Sequence, residues 1–252
     1  MALIKMERMP VKSELKTLFD NLRGKNPRRQ LGYLRSEGYF RNEGKKSSPI
    51  WFCGIERTGK KNGSTSYHKT ITELLSGLIG KNKLSQEQLQ QLIENLTLRI
   101  NLYPIGKSRA KKWGRSERER TGCPTLESYK VWCFYNFFPV LRRIIRKYPP
   151  KVVVCAGISS ALEFAAGLTE SGNGNYAIRV NKKIIKVRKK KTHVICMKVL
   201  KTTFIIAPFL GGMQRSFWKN DRFRKCIAEE LKPLLQEDVD KLKGQLEKPN
   251  QT

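Results

Sequence analysis

The chain has 252 residues, enough for one α/β domain of ordinary size with extra segments at its ends. Its 39% hydrophobic content supports a sizeable core, and its 29% charged content excludes a disordered chain. Lys and Arg number 51 against 21 Asp and Glu, a formal charge of +30 with a pI near 10.2, so the expected partners are polyanions, nucleic acid first.

Residues 11–24 place Leu15, Leu18, Phe19 and Leu22 on one helical face and end at Gly24. With the basic, glycine-rich loop that follows, they form an N-terminal extension over 1–48. The α/β domain spans 49–235. Its first core strand is 50–54, followed by a helix over 68–79 and another over 85–96 that starts at a Ser85 cap. A short strand over 98–103 leads into a basic loop, 106–122, and then a helix over 125–147. The run "PPKVVVCAGISSALEFAAG" joins a β-branched strand to an alanine-rich helix through a glycine turn, a parallel-strand unit buried on both faces. Residues 176–198 alternate as hairpin strands do, and 202–208 form the last core strand. A loop over 209–216 leads to a final helix, 219–235. The charged tail, 236–252, is expected to fray.

Strands alternating with helices predict an α/β fold, a three-layer α/β/α sandwich with a mostly parallel central sheet. Ligands of such sheets bind outside the carboxyl ends of the strands. Four loops lie there: 54–67, 101–112, 156–160 and 207–217. No stretch reaches transmembrane length, and the N-terminal residues lack the apolar core of a secretion signal. The six cysteines, at 53, 123, 133, 155, 196 and 226, show no C-x-x-C spacing, and His68 and His193 are the only histidines. No metal site is therefore expected. Cys53, Cys155 and Cys196 lie in apolar runs, where a reduced thiol acts as a small hydrophobe. A reducing compartment, cytoplasmic or nuclear, follows, and the expectation is the cytoplasm with nucleoid association through DNA.

The stretch "FCGIERTGK" admits two chemistries. Gly54 to Lys60 reads G-x-x-x-x-G-K, the outline of a phosphate-binding loop. Such a loop needs a hydroxyl after its lysine and an acid at the end of a neighbouring strand. Lys61 occupies the first place, and neither "VVVCAG" nor "TTFIIAP" supplies the second. The remaining chemistry is that of a carboxylate, Glu56, at the mouth of a catalytic pocket.

"FCGIERTG" resembles the first motif of the uracil-DNA glycosylase superfamily, nearest the F-C-G-I-N-P-G form of its mismatch-specific branch. "INLYPIG" resembles the N-L-C-P-L stretch of the single-strand-selective branch, "VVVCAGISSALEF" the strand-turn-helix that follows, and "FIIAPFLGGMQRSF" the H-P-S loop. The likeness spans about 50–230, in family order. It implies a glycosylase-like α/β domain and a monofunctional DNA glycosylase that hydrolyses the N-glycosidic bond of a flipped uracil-like or modified pyrimidine. A bulky hypermodified cytosine of phage DNA, excised in antiphage defence, is one such substrate. The product is an abasic site, and the reaction needs no cofactor.

Residue by residue, the resemblance gives Glu56 the water-positioning role and Asn101 the reading of the base. Gly54, Ile55, Ala207 and Pro208 fall in the base pocket, with Tyr67 or His68 as the stacking ring. Two positions depart from the motifs. Arg57 replaces a proline, and Ala207 stands where the family carries a histidine that stabilises the leaving base. A smaller residue there leaves room for a bulkier base.

A carboxylate suits this chemistry because it stabilises the oxocarbenium character of the sugar while orienting or deprotonating water. The cations Arg57, Lys60 and Lys61 favour its ionised form. The simpler alternatives are that Glu56 only pairs with a neighbouring cation and that Asn101 only caps a turn. Tyr67 and His68 suit packing or a surface position equally well. Basic clusters at 107–120, 141–151 and 181–191 suit phosphates, with interleaved aromatics for unpaired bases. Within them Lys107, Arg109, Lys111 and Lys112 are expected DNA contacts. In "FLGGMQRSFW", Leu210, Met213, Gln214, Arg215 and Phe217 are candidates to wedge into the stack as a base leaves. The simpler alternative is that Phe217 and Trp218 only pack under the helix. The expected partner is DNA, duplex or single-stranded, bound by a monomer. A non-catalytic DNA- or RNA-binding protein on the same fold is the rival reading.

Overall fold

The computed structural model describes residues 46–56, 64–79, 85–105, 113–169, 179–187, 190–208 and 215–247. The strands are β1 (Ile50–Glu56), β2 (Thr97–Tyr103), β3 (Val152–Ala156), β4 (Arg179–Val187), β5 (Lys190–Val199) and β6 (Thr202–Ala207). The helices are α1 (Ser64–Ile79), α2 (Gln86–Leu96), α3 (Arg115–Thr121), α4 (Leu126–Trp132), α5 (Phe138–Lys147), α6 (Ala161–Leu168), α7 (Arg215–Trp218) and α8 (Asp221–Glu247). A π-helical turn, Cys133–Phe137, joins α4 to α5.

The strands form one six-stranded sheet in the order β2-β1-β3-β6-β5-β4. The first four run parallel, and β5 and β4 turn antiparallel to complete a mixed, mostly parallel α/β sheet. Strand alternation sends Trp51, Cys53, Val153, Cys155 and Ile206 to one face, where α4, α5 and α6 pack on them. Ile50, Phe52, Val152, Val154 and Ile205 go to the other, under α1, α2 and α8. All five residues of β3 are buried, as a central strand with helices on both sides requires.

Local chemistry accounts for most of the boundaries. Ser85 accepts a hydrogen bond from the Gln88 backbone while the Gln88 side chain accepts one from the Ser85 N–H, a reciprocal cap that starts α2. Helix α1 starts at Ser64, four residues before the expected 68, and three further departures have a visible cause. The first strand continues through Glu56, because its backbone keeps pairing with β2 as far as Tyr103. The basic loop over 106–122 contains α3, started by the Glu117 carboxylate accepting from the Gly114 N–H at 2.9 Å. Third, the final helix runs to Glu247 instead of fraying after 235, since Leu235, Val239 and Leu242 continue the apolar stripe of Ile227 and Leu231 against the core. No helix among the described residues is long and apolar enough to cross a membrane.

Candidate active site

Register brings the separated motifs to one end of the sheet. Gly54 pairs with Asn101 on one side and Ala156 on the other, and Ala156 pairs with Ala207. Asn101, Gly54, Ala156 and Ala207 therefore form one row across four parallel strands. β3 and β6 end at this row, whereas β1 and β2 continue to the pair Glu56 and Tyr103. The result is a notch at the carboxyl ends, floored by Ala156–Gly157 and Ala207–Pro208. It coincides with a topological switch point: the chain leaves β1 toward α1 on one face and leaves β3 toward α6 on the other.

The floor is tightly built. The Gly157 N–H donates to the Ala207 carbonyl at 2.8 Å, tying the two strand ends together. Gly157 has φ +146°, and a Cβ there would sit 2.3 Å from Ile55 Cδ1, so only glycine lets β1 approach this turn. At Gly54 a Cβ would lie 2.6 Å from Asn101 Oδ1. The Asn101 carboxamide thus lies across the Gly54 backbone, from within β2. Asn101 is a residue of the strand itself and not the first residue after it.

Asn101 and Ile55 are half-buried and reach the surface, whereas Gly54, Ala207 and Pro208 are buried. Ala207 therefore forms the floor beneath the notch. Glu56 is the last residue of β1, and Tyr67 and His68 lie in the first two turns of α1. Arg215 opens α7. Arg57, Lys60, Lys61, Lys107, Arg109, Lys111, Lys112, Met213 and Gln214 fall outside the described residues.

Trp113, expected to stack on unpaired bases, packs inward instead, and Phe217 and Trp218 follow the simpler reading in which they pack under the helix. Trp113 stacks on Tyr129 at 5.1 Å and donates from Nε1 to the Cys123 carbonyl. Trp218 is buried and donates to the Pro208 carbonyl at 2.8 Å, anchoring the start of the last loop, while Phe217 packs near Phe223. Part of the basic cluster over 141–151 is likewise structural: Arg142 donates to the Ala166 carbonyl, and Lys151 pairs with Asp238.

A second carboxylate, unforeseen in the sequence, flanks the notch. Glu163, in the first turn of α6, accepts from Lys130 Nζ at 2.7 Å and from the Tyr103 hydroxyl at 3.2 Å. Burial, the largest single influence, pushes its carboxyl up. The Lys130 bond and charge, with the hydrogen bonds of Ser160 and Tyr103, outweigh this and hold it below the ordinary range. Lys130 also lies 5.1 Å from the centre of the Tyr103 ring, which packs on Tyr129 and Phe138. This clamp holds the end of β2, and hence the backbone opposite Glu56. Its signal in the sequence was an acid one turn after "AGISS", three residues past the loop.

All six cysteines are free. Burial raises the thiols of Cys53, Cys133 and Cys155 far above their usual range and that of Cys123 to about 11, so none is poised as a thiolate nucleophile. Among the described residues no group of three or more His, Cys, Asp or Glu is arranged to hold a metal ion. No family profile and no curated protein matches this chain.

Proposed function

We propose that the protein is a DNA glycosylase of the uracil-DNA glycosylase type, acting on a uracil-like or modified pyrimidine flipped into the notch. One observation carries this reading: the resembling motifs, scattered over more than a hundred residues, converge on one row and one switch point of the sheet. Glu56 holds a water molecule against C1′ and accepts its proton as the oxygen attacks. The C1′–N bond breaks, the base leaves with the bonding pair, and an abasic sugar remains. Asn101, fixed against Gly54, offers one carboxamide edge to the base. Because Ala207 supplies no hydrogen bond to the leaving group, a base that is itself a good leaving group suits the site better than plain uracil.

The test is a panel of uracil-containing, natural and phage-modified duplexes, incubated with the protein and then treated with alkali to cleave abasic sites. The expected result is strand breaks on a modified substrate, reduced by on the order of 10²–10⁴ in Glu56→Gln. The missing histidine favours a second reading, in which the fold binds nucleic acid without cleaving it. Absence of breaks on every duplex would decide for that reading, and full activity of Glu56→Gln would sink the mechanism.

A further inference from the structure

The β4–β5 hairpin rises beside the notch. Ile195 pairs with Ile206, so Val194 falls level with Ala207, and the paired residues from His193 back to Lys190 lie beyond the floor. At strand rise that is an overhang of about 13 Å. Lys186 and Lys191 are directly opposed on this arm, and Lys182 lies on the same face of β4. All three are exposed, and among the described residues none has an ion-pair partner. Ile184, between Lys182 and Lys186, and Val180, next along that face, are 67% and 54% exposed, so no helix covers it.

Lys183 behaves differently. On the opposite face of the same strand, it is paired with Glu230 of α8. In the cleft between β4 and α8, Asp221 and Glu229 offset two of the three cations Lys186, Arg222 and Lys225. The open face has no such balance. From Ser171 to Asn220 the chain contains 12 Lys and Arg and no Asp or Glu.

We infer that this overhanging lysine face binds the phosphate backbone of duplex DNA beside the notch. Like charges directly opposed across a strand pair are destabilising, and a polyanion relieves that repulsion. Edge lysines also deter sheet-to-sheet aggregation. That role accounts for each lysine singly, Lys191 included because β5 overhangs the end of β6, but not for setting Lys186 and Lys191 directly opposite each other, which costs stability. Neither β4 nor β5 carries Phe, Tyr or Trp. Stacking on unpaired bases is therefore not what the face provides, and the dense phosphate charge of a duplex suits it better than a single strand. The inference draws its partner from the proposed function, but binding is measured without excision.

A labelled, unmodified duplex is titrated by fluorescence anisotropy between about 50 and 200 mM salt. Replacing Lys182, Lys186 and Lys191 by Gln is expected to weaken binding at least tenfold and to lower the salt slope by about two to three. Lys183→Gln should keep the wild-type slope. The triple variant should melt no lower than wild type, because a repulsive pair has gone; if it does melt lower, Lys186→Gln alone must still lower the slope by about one. Unchanged affinity and slope in the folded variant overturn the inference, as does an equal loss in Lys183→Gln. Failure of excision with binding intact counts against the glycosylase alone.

Discussion

The two halves of the sheet end in opposite ways. Where β1, β3 and β6 run parallel, Gly54, Ala156 and Ala207 form one row, at which β3 and β6 finish, with Gly157 just beyond. Where β4 and β5 run antiparallel, the same end of the sheet carries an exposed lysine pair. Small residues leave backbone and carboxamide close together in a low notch. Lysines on an overhanging arm keep a surface open and positively charged. The parallel half is organised by contact and the hairpin half by charge. Substitutions in the first should therefore act through packing and geometry, and those in the second through salt-dependent binding.

The contact rule is broken most severely at Gly157. Gly157→Ala combines a left-handed backbone with the clash against Ile55, and should cost about 3 kcal/mol in urea unfolding. A loss below about 1 kcal/mol would mean that the floor of the notch is looser than its geometry states.

Gly54→Ala separates packing from chemistry. Its new methyl meets the end of a single side chain, Asn101, which can swing aside, so stability should change by no more than about 1 kcal/mol. Excision should nevertheless fall about a hundredfold, because the carboxamide is displaced by an ångström or more. Wild-type excision by this variant would remove Asn101 from the base-reading role.

The smallest effect is expected at Glu163. Its carboxyl is held below the ordinary value of 4.5, so the unfolded chain binds the proton first as pH falls. The stabilisation is fully present above that value and is lost as pH drops through the lowered one. Glu163→Gln should flatten the acid limb of a melting-temperature profile and leave neutral-pH DNA binding unchanged. A profile that keeps its shape would show that the Lys130–Tyr103 clamp does not depend on this charge.

Much of the fold was legible because it rests on local signals. The β-branched run of β3, the Ser85 cap and the alternation of β4 and β5 each follow from a few adjacent residues. Boundaries failed where a distant partner decided them. Glu56 became a strand residue because β2 continues beside it, and α8 passed residue 235 because a core face continued beneath it. Trp113 read as a free ring in a basic segment, but it found a buried carbonyl.

Composition and pattern by themselves determined that this chain is a strongly basic α/β protein with glycine turns after its core strands. Those properties are sums over residues or periods of two and 3.6, and need no knowledge of neighbours in space. Tertiary structure alone decided that Asn101 lies on Gly54, that Glu163 clamps Tyr103, and that Lys186 faces Lys191 while Lys183 is neutralised by Glu230. Each depends on strand order and register, and a slip of one residue would turn Asn101, Tyr103, Lys183, Lys186 and Lys191 to the other face of the sheet.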